Sequence, residues 1–102
     1  MNRAEMLKQV LEQNPNDAFA RYGLAMEYSR AGEIEIALAE FQQLLELHPD
    51  YIAGYQMAGQ MLSAAGRCEE ARQMLQSGIA TAGRAGNKHA QEEMQGLLQE
   101  LR

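Results

Sequence analysis

Ser29-Arg30-Ala31-Gly32-Glu33-Ile34-Glu35-Ile36-Ala37 and Ser63-Ala64-Ala65-Gly66-Arg67-Cys68-Glu69-Glu70-Ala71 are the stretches that decide the fold. They share serine, the Ala-Gly pair, glutamate and the closing alanine 34 residues apart, and Pro15 and Pro49 stand at the same interval. Self-similarity of that period marks stacked helical hairpins, because a unit so short cannot bury its apolar face alone and must lean on a copy of itself. The chain is therefore expected to present a surface rather than to enclose a reaction.

Composition agrees. The 102 residues are 46% hydrophobic and 23% charged, with only two prolines, which suits one helical domain with a single core. The net charge of -5 is uneven: residues 1–51 carry four basic and nine acidic groups, residues 52–102 five of each. An acidic chain without a basic stripe is repelled by phosphate backbones, so no nucleic acid is expected as a partner. The acidic half either favours a basic partner or serves solubility. Cys68 is the only cysteine, so no internal disulfide forms. Glu5, Lys8 and Glu12 interrupt any signal-peptide core, and no apolar run approaches the roughly 18 residues of a membrane span. The expectation is a cytoplasmic protein without a membrane partner.

Apolar spacing predicts an all-α fold of about six antiparallel helices. The first, Arg3 to Gln13, lines up Met6, Leu7, Val10 and Leu11. Asn14-Pro15-Asn16-Asp17 stops it, and Asn16 or Asp17 caps a second helix reaching about Ala31. Gly32 ends that helix, and Glu33 opens a third to Leu47 with Ile34, Ala37, Leu38, Phe41, Leu44 and Leu45 buried. His48-Pro49-Asp50 repeats the stop and cap. A fourth helix spans Tyr51 to Ala65, a fifth Arg67 to Thr81, and a turn from Ala82 to Asn87 precedes a sixth with Ala90, Met94, Leu97, Leu98 and Leu101 inward.

These residues resemble the tetratricopeptide repeat (TPR), whose signature reads W-x2-L-G-x2-Y, then A-x3-F, then P. Residues 18–51 offer Arg21, Leu24, Ala25, Tyr28, Ala37, Phe41 and Pro49 in that spacing, departing strongly only at the tryptophan. Residues 52–85 offer Tyr55, Ala58, Gly59, Leu62, Ala71, Leu75 and Gly83. The resemblance implies an α-solenoid: one domain with a capping helix at 1–17, repeats at 18–51 and 52–85, and a closing helix at 86–102. Leu7 and Val10 sit 34 before Phe41 and Leu44, so the first helix is in phase with a repeat's second helix. Ala25 and Gly59 let the helices of a hairpin approach closely.

In this family the first helices of successive repeats line a concave groove that binds peptides or helices of other proteins. The resemblance thus implies a non-enzymatic protein-binding scaffold, and the groove-facing candidates are Phe19, Tyr22, Met26, Arg30, Gln56, Met57 and Gln60. Phe19 and Tyr22 either bind a partner or pack beneath the first helix. Some members grip a chaperone-tail carboxylate with cations; the matching positions here are Tyr22, Met26, Met57, Asn87 and Gln91, so that activity is not expected. Arg21 and Arg30 lie nearby, as holders of an acidic group or as solvated cations. The alternative function is self-association, a homodimer through the end helices.

No cofactor or metal is expected. Gly78-x4-Gly83-Arg84-Ala85 echoes a phosphate loop but lacks its lysine and hydroxyl. His89, Glu92 and Glu93 share a helix face without a second ligand helix, and His48 reads as a helix-end residue. Cys68 aligns with Ile34 and reads as a small buried thiol. Two histidines at helix boundaries make no catalytic triad.

Overall fold

Three Ala-Gly pairs end helices. The computed structural model describes residues 1–101, so the last position of the expected closing segment, 102, lies outside them. Among the described residues it contains α1 (Arg3–Gln13), α2 (Ala18–Arg30), α3 (Ile34–Leu47), α4 (Ile52–Ala64), α5 (Cys68–Arg84) and α6 (Lys88–Glu100), and no strand. After α2, α4 and α5 come Gly32, Gly66 and Gly86, with φ of 78°, 78° and 72°. A side chain at such φ is strained, so glycine is required. It lets the N–H groups of Gly32 and Glu33 fold back onto the carbonyls of Ser29 and Tyr28, at 3.1 and 2.9 Å. The same pair of bonds recurs at Gly66-Arg67 and Gly86-Asn87, which satisfies carbonyls a helix end leaves open.

Helix starts are less uniform. Asp17, not Asn16, caps α2 by accepting from Ala20 N at 2.9 Å, while Asn2 and Asn87 cap α1 and α6. Asp50 does not repeat the role of Asp17. The 34-residue interval sets Tyr51 at that position, and no side chain caps α4.

The chain divides into two compact units, Met1–His48 and the residues from Pro49 onward. In the first, α2 packs against both α1 and α3. Leu24, Ala25, Ala37, Leu38, Phe41 and Leu44 are buried, and Ile34 and Leu45 are half-buried. In the second, α5 packs against both α4 and α6, around Leu75, Ala82, Ala90 and Met94 with Ile79, Leu97, Leu98 and Leu101 beside them. Each fully buried large side chain of this kind contributes about 1.5–3 kcal/mol.

Two expectations are corrected. The fifth helix continues past Thr81 to Arg84. Ala82 is fully buried in the core and Gly86, not Gly83, supplies the positive-φ turn, so Gly83 is helical. In α1, Leu7 and Leu11 are half-buried, but Met6 and Val10 are exposed, because among the described residues α1 packs against α2 alone.

Glycines inside the helices set how near the helices come. A Cβ on Gly59 would lie 2.6 Å from Leu75 Cδ2, and one on Gly78 would lie 2.6 Å from Tyr55 Cβ and 2.5 Å from Met94 Sδ. Gly78→Ala should therefore cost about 1–3 kcal/mol through overpacking. Gly96→Ala, in open space within α6, should instead add about 0.5–1 kcal/mol. Urea unfolding of the two variants beside wild type checks both signs.

Candidate functional site

Helical spacing and packing together decide which side chains α2 offers outward. Its faces are already divided: Leu24 and Ala25 are buried in the core, and Gly23 receives Leu7 of α1, whose Cδ1 would stand 3.1 Å from a Cβ there. Arg3 Nε of α1 reaches Glu27 Oε1 at 3.0 Å, and Lys8 Nζ lies 5.5 Å from the centre of the Tyr28 ring. The remaining face carries Phe19, Tyr22, Met26 and Arg30.

On that face Phe19 is 69% exposed, so α1 does not cover it. Tyr22 and Met26 are half-buried and Arg30 is exposed, its guanidinium 3.5 Å from Glu27. Burial raises the pKa of the Tyr22 hydroxyl above the usual tyrosine value, and the nearby Arg30 charge opposes that rise. In the second unit α4 carries Gln56, Met57 and Gln60, all half-buried, between exposed Ala53 and Ser63. The α2 face is aromatic and α4 offers amides around a methionine.

Arg21 belongs to neither class expected of it. Its Nη1 donates to Glu40 Oε1 of α3 at 2.7 Å and its Nη2 to the carbonyl of Pro15 at 3.0 Å, with only 15% of the side chain exposed. It is an internal brace, because a stem at the tryptophan position runs between α2 and α3 and its charge must be satisfied there. Thirty-four residues on, Tyr55 donates its hydroxyl to the carbonyl of Pro49 at 2.7 Å. Both side chains close the turn six residues before them. The signal for this was present as two donor-tipped residues at one distance from the two prolines. His48 adds a further tie, with Nε2 donating to the carbonyl of Asn16 at 2.8 Å.

The other motifs resolve without chemistry. Asn87 and Gln91 are both engaged within the second unit: Asn87 caps α6, and Gln91 Nε2 donates to Ile79 O at 3.5 Å. Gly78 and Gly83 are both helical, so no phosphate loop exists there. His89 pairs with Glu93 at 2.8 Å. Among the described residues no three of His, Cys, Asp or Glu cluster to hold a metal ion, and no helix is long and apolar enough to cross a membrane. Cys68 is half-buried rather than buried, since it opens α5 where neighbours cover only one side.

A family model described as Tetratricopeptide repeat matches residues 4–58. A TPR repeat-containing protein of Pseudomonas aeruginosa is 37% identical over 97 residues, covering 95% of this chain and 92% of its own. The solution structure of a tetratricopeptide repeat domain protein from Salinibacter ruber aligns with a TM-score of 0.78 at 31% identity, over 85% of this chain and 88% of that one. The TPR2B domain of yeast Sti1, in complex with pHsp70, aligns with a TM-score of 0.86 over 93% and 76% of the two chains. At 16% identity it shows a shared fold.

Two measurements check the electrostatic reading. Arg21→Ala leaves Glu40 without its partner and should cost about 1–3 kcal/mol, against about 0.5–1.5 kcal/mol for Tyr55→Phe, which loses one hydrogen bond; urea titration ranks them. Tyr22 has a raised folded-state pKa, so its stability term is whole below the unfolded tyrosine pKa and is lost as pH rises through the folded value. Thermal melts at alkaline pH should show wild type losing stability that Tyr22→Phe keeps.

Proposed function

The chain belongs to the tetratricopeptide repeat family, and we propose that it is a non-enzymatic module that binds a peptide or helix of another protein along the first helix of each hairpin, α2 and α4. Proteins of this family are generally non-catalytic and mediate protein–protein interaction. The observation that carries the reading is Phe19, an aromatic 69% exposed on a helix whose other faces are occupied. Tyr22 and Met26 continue its row, and Arg30 ends it with a cation. Such a row gives a partner an apolar anchor point beside an adaptable thioether and a charged rim. On α4, Gln56, Met57 and Gln60 offer amide hydrogen bonds around one methionine.

The yeast domain complexed with pHsp70 is a precedent for polypeptide recognition on this fold. A carboxylate-tail ligand does not follow from it, because Tyr22, Met26, Met57, Asn87 and Gln91 supply no cation. The competing reading is a homodimer through the end helices.

Affinity capture with wild type beside Phe19→Ala/Tyr22→Ala tests the binding reading. The double variant should keep its helical circular dichroism and lose specific bound proteins. Unchanged capture, or light scattering that shows a dimer at micromolar concentration, would sink it.

A further inference from the structure

The four side-chain cations of the first unit are unevenly placed along α2. Arg3 of α1 reaches Glu27, and Lys8 lies over the Tyr28 ring, both in the last turn of α2. Arg30 shares Glu27 with Arg3. Arg21, the fourth, is neutralised by Glu40. Arg3, Lys8 and Arg30 thus gather at the end of α2 away from Phe19.

The Phe19 end holds the opposite charge. Both α1 and α3 finish there: residues 14–17 join α1 directly to α2, and His48 at the end of α3 donates Nε2 to the Asn16 carbonyl at 2.8 Å. Glu12 and Glu46, in the last turns of α1 and α3, are exposed, and Asp17 caps α2. None of the three is in an ion pair among the described residues. Asp17 offsets the positive end of the α2 dipole, so Glu12 and Glu46 carry the field beyond it. Phe19 stands two residues after Asp17, exposed in that field.

We propose that Phe19 is the subsite for an arginine or lysine side chain of the bound peptide, an inference that rests on the binding role given above to the α2 face. An aromatic ring attracts a cation to its face. A long basic side chain lays its methylene stem on the apolar ring and keeps its charged head in the acidic field. An acidic residue is repelled there, and an apolar one leaves the field unanswered. Further along the row the chemistry changes, because Tyr22 and Met26 are half-buried and Arg30 brings a cation. Phe19 and Met26 lie roughly 10 Å apart along the helix axis, the span of about three extended residues. The α2 face therefore selects a basic residue and an apolar one at that spacing. A second copy of the chain is a poorer occupant, because each copy carries a net charge of -5 and the two repel.

Selection of a random-peptide phage library on the wild-type chain tests this, with enriched peptides synthesised and measured by fluorescence anisotropy. They should carry arginine or lysine about three residues from an apolar residue. Replacing that basic residue by norleucine should weaken binding about three- to thirtyfold, with the larger loss at low salt. Phe19→Tyr should keep the preference for the basic residue. Phe19→Leu, which retains an apolar contact, and Glu12→Gln/Glu46→Gln should each reduce it, with circular dichroism unchanged. Peptides that need Tyr22 and Met26 yet carry no basic residue, or whose basic residue counts as much in Phe19→Leu, overturn this inference and leave the α2 binding face standing. No enriched peptide, or peptides bound equally by Phe19→Ala/Tyr22→Ala, overturns the binding face and this subsite together. So does a dimer in light scattering that Phe19→Leu dissolves, which assigns the row to a second copy.

Discussion

Each unit rests on helices that approach more closely than ordinary side chains allow. Leu75 sits where a Cβ on Gly59 would be, and Met94 and Tyr55 close over Gly78 from opposite sides. In the first unit the approach is tight but looser, with Leu7 Cδ1 3.1 Å from where a Cβ on Gly23 would stand. A larger residue at Gly59 or Gly78 would push the helices apart and open gaps around Leu75 and Met94, which are fully buried. Dispersion contacts fall off steeply with such gaps, so one methyl group has leverage over a whole helix pair. Helices this near also need abrupt reversals between them, which the positive-φ glycines provide.

The turns before α2 and α4 are closed in a second, independent way. Arg21 and Tyr55 occupy the same place in their hairpins and differ in every chemical respect except a donor at the tip, which reaches a proline carbonyl in each. Arg21 adds a charged link to Glu40 and so couples the start of α2 to α3. The physical consequence is preorganisation: side chains on a helix fastened at both ends have little conformational freedom left to lose. Phe19 and Tyr22 stand two positions and one position from Arg21 on that fastened turn.

How far the sequence could be read differed by residue. The start of α1, the ends of α1 and α3, and glycine closure after α2 and α4 were legible because each rests on local chemistry within a few residues. The third Ala-Gly pair, Ala85-Gly86, was the same signal outside the 34-residue period, and the extra turn of α5 was missed for that reason. Arg21 was misread because its meaning lies in Glu40, a residue on another helix. Of the groove-facing candidates, exposure of Phe19 could not be known before the path of α1 over α2 was seen.

The sequence by itself determined that the chain is helical, that it repeats, and where its helices break apart from the end of α5, since those follow from backbone preferences and the spacing of apolar residues. Tertiary structure decided which apolar residues are covered. Met6 and Val10 follow the same rule of spacing as Leu7 and Leu11, yet one pair faces α2 and the other faces outward. A repeat pattern records that side chains share a face, and only the position of neighbouring helices settles whether anything lies against it.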